Sequence, residues 1–217
     1  SIKSAAWAET KKADIVWIDA EKCNDTNVAE MLGDVQAVVV PGGFGERGVE
    51  GKISAAKYCL KSGKPYLGLC LGMQVAAIAA ARLAGESQAN STEFDPDSEA
   101  PVIDIMESQK LVAVKGGTMR LGNYNCKLAK KSKAEKLYGK TDIVERHRHR
   151  YEFNSKYEDL INKANLYVVG RNPETGLAEV VEAGGKQYFL ASQYHPEFKS
   201  RPLVPHPLFL GLIKATK

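Results

Sequence analysis

Pro65-Tyr66-Leu67-Gly68-Leu69-Cys70-Leu71-Gly72 sets a short apolar run directly in front of a helical pattern, which continues from Met73 to Leu83 and stops at Gly85. Pro65–Leu69 reads as a strand that is apolar on both faces, and such strands belong to parallel sheets covered by helices. Cys70 stands at the junction, with glycine on either side at 68 and 72. A strand that turns sharply into a helix throws the residue at the turn out above the sheet, and side chains at the flanking positions would clash. The segment therefore has the form of a nucleophile elbow with cysteine as the nucleophile. The dipole of the following helix favours thiolate over a free thiol of pKa about 8.5.

Outward from this stretch the same alternation recurs. Ile15-Val16-Trp17-Ile18 and Ala37-Val38-Val39-Val40 are β-branched runs, and Val49 to Leu60 is a helical pattern ending before Gly63. Strands alternating with helices predict an α/β domain with a mostly parallel central sheet flanked by helices. Ser4 to Ala13 reads as a helix with no strand ahead of it, so the first strand such a domain opens on is expected to be missing. The second half is richer in strands: Leu111–Val114, a segment through Met119 and Leu121, Ile143–Tyr151, Leu166–Val169, Ala178–Glu182 and Tyr188–Ala191. Gly184-Gly185 predicts a hairpin turn between the last two, and Leu208–Ile213 a closing helix. Gly85 to Ala100, rich in Ser, Asn, Asp, Glu and Pro, reads as a long functional loop.

The 217 residues suit one medium domain, residues 1–217, with a real core. A net charge of +4 is too mild to demand an anionic partner, so neither nucleic acid nor membrane is expected as a ligand. No apolar run reaches the length of a membrane span, and the opening Ser1-Ile2-Lys3-Ser4, with no basic stretch followed by an apolar one, is not expected to be a signal peptide. Cys23, Cys59, Cys70 and Cys126 are scattered without a CxxC pair. That usage predicts a reducing, cytoplasmic setting, and no metal site.

A cysteine nucleophile needs a base, and the base needs an orienting group. His195-Pro196-Glu197 follows the strand Tyr188–Ala191, at the strand end where open α/β sheets place their sites. Pro41-Gly42-Gly43-Phe44-Gly45 follows another strand, and bare glycine N–H groups there suit an oxyanion. Gly43 to Gly48 also fits GxGxxG, but the ribose-binding acid expected about 20 residues on is missing: after Glu50 no Asp or Glu occurs until Glu86. Gly48 to Ile53 is not a phosphate loop either, since no Ser or Thr follows Lys52. Arg146-His147-Arg148-His149-Arg150-Tyr151 is the densest basic run. On a strand its arginines face one side and its histidines and Tyr151 the other. Without interleaved aromatics or a third ligand it suits neither an RNA-binding edge nor a metal pair. An arginine aimed at a carboxylate uses the residues better.

PGGFG (41–45), GLCLGMQ (68–74) and HPEF (195–198) together resemble the class I (triad) glutamine amidotransferases, a flavodoxin-like α/β fold. Asn90–Phe94, Gly116–Gly122 and the run Arg146–Glu152 are similar to the glutaminase domains of the CTP synthase family in particular. The resemblance implies that Cys70 attacks the glutamine amide carbon while His195, oriented by Glu197, shuttles protons. It implies an oxyanion hole from the N–H groups of Gly43 and Leu71. Gln74 and Glu93 would hold the substrate's α-amino end, Arg150 its α-carboxylate, and Phe44 and Tyr151 the pocket wall. Ammonia would pass to a synthase (amidoligase) domain, absent from this sequence, where ATP, UTP and Mg²⁺ bind; no cofactor is expected on these residues. The whole enzyme would be a homo-oligomer. A glutaminase serving carbamoyl phosphate, GMP or anthranilate synthesis would share the triad, and a non-catalytic binding module would not need it.

Overall fold

A computed structural model describes residues 1–105 and 119–216. In chain order these form α1 (Ile2–Ala8), α2 (Val28–Met31), β1 (Val38–Val40), α3 (Val49–Ser62), β2 (Tyr66–Leu69), α4 (Leu71–Leu83), β3 (Ala89–Ser91), β4 (Ala100–Asp104) and β5 (Arg120–Leu128). There follow α5 (Lys133–Tyr138), β6 (Asp142–His149), β7 (Glu152–Phe153), α6 (Glu158–Lys163), β8 (Leu166–Arg171), β9 (Ala178–Ala183), β10 (Phe189–Ser192) and α7 (Pro207–Ala215). The expected strand Leu111–Val114, and Gly116 to Thr118, lie outside the described residues.

A seven-stranded sheet, ordered β1-β2-β10-β9-β8-β5-β6, forms the centre, and β3, β4 and β7 make a small second sheet. The class is α/β, but the central sheet is mixed rather than mostly parallel. β1, β2 and β10 run parallel, and the remaining pairs are antiparallel. The reason is the connections. β1 reaches β2 through a helix long enough to cross the sheet, whereas β8, β9 and β10 follow one another through short turns that force reversal. One of those turns is Gly184-Gly185, as expected, with Gly185 at φ 76°.

Apolar side chains fill both faces. Tyr66, Phe189 and Val181 point into the layer shared with α3 and α4. Leu67, Leu69, Leu190 and Val180 point to the other side, against α1 and α7. This alternation is why β2 and β10 are buried along their whole length.

Three local expectations fail. Ile15–Ile18 is no strand: no described strand pairs with it, so its backbone has no ladder to join, and Trp17 is left 88% exposed. The first helix covers residues 2–8 rather than 4–13. It stops where Thr10 turns to φ 55° and the Lys11 N–H donates back to the Ala6 carbonyl. The stretch 85–100 is not all loop, because Ala89–Ser91 pairs with β4.

Candidate active site

Cys70 closes β2 and opens α4 at φ 52°, ψ −103°, a left-handed backbone that a side-chain-bearing residue adopts only under constraint. Neighbouring packing supplies that constraint. A methyl on Gly68 would lie 2.5 Å from the Gly72 carbonyl oxygen, and one on Gly72 would lie 2.2 Å from that of Val40. The two glycines let α4 press against the strand ends, and the turn between them has no room to relax.

His195 and Glu197 follow β10, the strand beside β2. His195 Nδ1 and Glu197 Oε1 are 2.7 Å apart, which leaves Nε2 as the working nitrogen, buried and without a hydrogen-bond partner. The ring stacks on Phe198 at 4.7 Å, and the His195 N–H donates to the Arg146 carbonyl at 2.8 Å. Gly42 lies between the two chemical groups: a methyl there would meet His195 Cε1 at 2.7 Å and Cys70 Cβ at 3.5 Å. Gly43 is next to Leu71, whose Cδ2 its missing Cβ would touch at 3.2 Å.

A cavity of about 240 Å³ adjoins the thiol, lined by Gly43, Phe44, Gln74, Glu93, Arg150 and Tyr151 along with Cys70. Every residue expected to bind substrate therefore lines one cavity, while His195, Glu197 and Leu71 are not among its lining residues. Glu93 Oε1 accepts from the Gly45 N–H at 2.9 Å, tying the glycine loop to the segment after β3. Arg150 Nε is buried without a partner. Phe44 is 56% exposed, with the Arg148 guanidinium 5.7 Å from its ring centre.

One expectation is reversed. The thiol is not poised as thiolate: burial pushes Cys70 up to about 12, outweighing the Leu71 N–H that favours the anion, and Glu197 and Glu93 add to the rise. At rest it donates to the Arg148 carbonyl at 3.9 Å. Deprotonation thus requires transfer to a base.

Sequence reasoning missed Met119 and His149 in the cavity wall. It also missed Gln193, whose Nε2 lies 3.8 Å from Cys70 Sγ. The position of Gln193, two residues before His195 and directly after β10, was the signal for it. The basic run does split as expected, Arg146 and Arg148 outward and His147 and His149 inward, but Arg150 and Tyr151 lie beyond the strand end.

The sequence profile of the family described as "Glutamine amidotransferase class-I" matches residues 2–215. The chain belongs to the class I glutamine amidotransferases. Among members of this family, CTP synthases of Herpetosiphon aurantiacus and Caldanaerobacter subterraneus are each 50% identical over 216 residues, 99% of this chain and 40% of their own length. This amidotransferase chain thus spans about 40% of the curated relatives it matches. Among solved structures, the Trypanosoma brucei CTPS glutaminase domain with bound acivicin superposes at a TM-score of 0.91. It is 37% identical, over 99% of this chain and 84% of that one. No helix among the described residues is long and apolar enough to cross a membrane.

Proposed function

We propose that this chain hydrolyses L-glutamine through a thioester on Cys70, as the glutaminase part of a CTP synthase. The observation that carries the reading is the convergence on Gly42 of a strained cysteine and a carboxylate-oriented histidine, beside a cavity sized for one amino acid.

His195 Nε2 takes the thiol proton as Cys70 Sγ attacks the side-chain amide carbon of glutamine. The N–H groups of Gly43 and Leu71 hold the resulting oxyanion. The C–N bond then breaks, and His195 returns the proton to the leaving nitrogen, which departs as ammonia. Water, deprotonated by the same imidazole, cleaves the thioester and releases glutamate. Glu197 keeps the proton on Nδ1 so that Nε2 accepts. Burial of the thiol makes this transfer coincide with substrate binding, which protects a nucleophile that would otherwise react with other electrophiles. Arg150 pairs with the α-carboxylate, and Glu93 and Gln74 hold the α-amino end.

Ammonia then serves a synthase domain that carries ATP, UTP and Mg²⁺ and converts UTP to CTP. The relatives that this chain matches at half identity are CTP synthases more than twice its length, which supports that partner. The deciding experiment is ammonia release from glutamine by this chain and by Cys70→Ala, with and without a CTP synthase synthase domain, UTP and ATP. Equal release by the wild type and Cys70→Ala would refute the reading.

A further inference from the structure

Behind the cavity lies a buried polar cluster that the reaction as written does not use. Arg120 on β5 donates from Nη1 to Glu152 Oε1 at 3.2 Å and from Nη2 to Glu179 Oε1 at 2.9 Å. His147 Nε2 lies 3.3 Å from Glu179 Oε2, His147 Nδ1 lies 2.9 Å from His149 Nε2, and His149 Nδ1 lies 3.2 Å from the Tyr151 carbonyl. All five charged or titratable side chains are buried.

Their proton positions follow from counting donors. A carbonyl only accepts, so His149 Nδ1 carries hydrogen, toward the Tyr151 oxygen and toward Glu152 Oε1 3.4 Å away. Burial holds His147 down to about 3 and His149 well below its ordinary value, so both rings are neutral. His149 Nε2 is then an acceptor, and His147 Nδ1 must donate to it. That leaves a lone pair on His147 Nε2 3.3 Å from Glu179 Oε2, and neither atom has a hydrogen bond within the protein as it stands. They fit together if the carboxyl holds a proton. Burial raises both acids, Glu152 to about 8 and Glu179 to about 7, and Arg120 offsets one negative charge. Neither acid's second oxygen has a hydrogen bond in the protein, but Glu179 Oε2 has the His147 Nε2 lone pair 3.3 Å away to take a proton.

We propose that Glu179 is held as the neutral acid and starts a one-way hydrogen-bond chain, Glu179 to His147 to His149 to the Tyr151 carbonyl, that positions the glutamine pocket. At its end the Tyr151 oxygen also accepts from Gln74 Nε2 at 3.0 Å. Gln74 Nε2 is in turn 3.3 Å from Gln193 Oε1, and Gln193 reaches Cys70 as described. The chain therefore sets where the Gln74 amide and the wall of the cavity stand. Glu179 and His147 are positioning residues that do not line the cavity, and they act through His149, which stands in its wall. The opposite polarity would turn the His149 Nδ1 lone pair onto the Tyr151 oxygen. This role rests on the glutaminase reading, but the proton positions do not.

Other groups around Glu179 also act on it. Tyr124 lies under the Arg120 guanidinium, 4.4 Å away, and edge-on to His147. Cys126 and Tyr194 adjoin the acid, and Glu145, on the same strand as His147, adds negative charge to both of them. None offers His147 Nε2 a proton at neutral pH, because burial pushes both Cys126 and Tyr194 up.

The test is a long-range ¹⁵N–¹H spectrum of the histidines, read beside the pH dependence of KM for glutamine. At pH 6 both His147 and His149 should carry hydrogen on Nδ1. Above about pH 8 the wild type should lose that pattern, with KM rising about tenfold, the size of one lost buried hydrogen bond. Glu179→Gln keeps a donor against His147 at every pH, so its tautomers and KM should stay constant across the range. Glu179→Leu, if it folds, should show the raised KM already at pH 6. Hydrogen on His147 Nε2 at pH 6, or Glu179→Gln following the wild-type pH curve, would overturn the proposal. If glutamine is not hydrolysed while the predicted tautomers are seen, the chain of bonds stands and the glutaminase reading falls.

Discussion

Alanine at Gly42 tests the geometry of the site without touching a reacting atom. Its Cβ would lie 2.7 Å from His195 Cε1, whereas carbon atoms rest at about 3.5 Å or more. The ring must therefore retreat by roughly 0.8 Å. It has little freedom to do so, being stacked on Phe198 and bonded to Glu197 at 2.7 Å. A displacement near 1 Å in a catalytic constellation costs about 10²-fold in rate, equivalent to about 2.7 kcal/mol of transition-state stabilisation. The fold should not suffer. Gly42 is not among the glycines in the left-handed region, and alanine in an ordinary backbone conformation adds about 0.4–1 kcal/mol through the unfolded state. Gly43→Ala is the control, because its Cβ would meet only the Leu71 Cδ2 methyl, at 3.2 Å, and not the imidazole. The measurements are kcat/KM for glutamine, the rate of Cys70 labelling by a glutamine-like electrophile, and Tm. We expect Gly42→Ala to lose about two decades with Tm held, and Gly43→Ala to lose much less. Wild-type kcat/KM in Gly42→Ala would refute the placement of His195.

A glutamine-like electrophile should label Cys70 and spare Cys23, Cys59 and Cys126, which are buried away from the cavity; even labelling of all four, read by peptide mass spectrometry, would contradict this. Arg150→Ala should raise KM on the order of 30-fold, since it removes a charge-assisted bond to a part of the substrate that does not react; a fall in kcat alone would exclude Arg150 as the carboxylate anchor. Stability should decline between about pH 6.5 and 8. In that window the folded chain keeps on the Glu152–Glu179 pair, whose acids burial raises, a proton that the unfolded chain has already released. The lowered histidines act in the opposite direction, below about pH 6.5, where the unfolded chain takes up protons that the folded one refuses. Denaturant midpoints across the window should flatten in the Glu152→Gln, Glu179→Gln double variant, and an unchanged slope would count against buried neutral acids. Glutamate formation should be slow for this chain alone and rise when a synthase domain, UTP and ATP are added, because glycine peptides at Gly42–Gly45 reorient cheaply and one absent oxyanion donor costs about 10²–10³ in rate; equal rates in a demonstrated complex would mean constitutive activity.

Whatever depends on near neighbours was legible in the sequence by itself. The strand-to-helix turn at Gly68–Gly72 followed from residues within one turn of each other, as did the Glu197 carboxylate two residues from His195 and the inward histidines of β6. The glycine loop after β1 was legible in the same way. The tertiary structure decided what depends on distant partners. Ile15–Ile18 has the composition of a strand and is not one, because β pairing needs a second segment to take its hydrogen bonds. The direction of the strands after β2 was set by the lengths of the connections between them. Helix position alone favoured a Cys70 thiolate, but burial by chain from the sheet, the glycine loop and the β6–β7 turn raised the thiol instead. Nothing in the sequence joined Arg120, Glu152 and Glu179, and they become one buried cluster with two histidines because β5, β7 and β9 bring them together. A side chain's conformational preferences are intrinsic to the chain, whereas its solvation belongs to the fold.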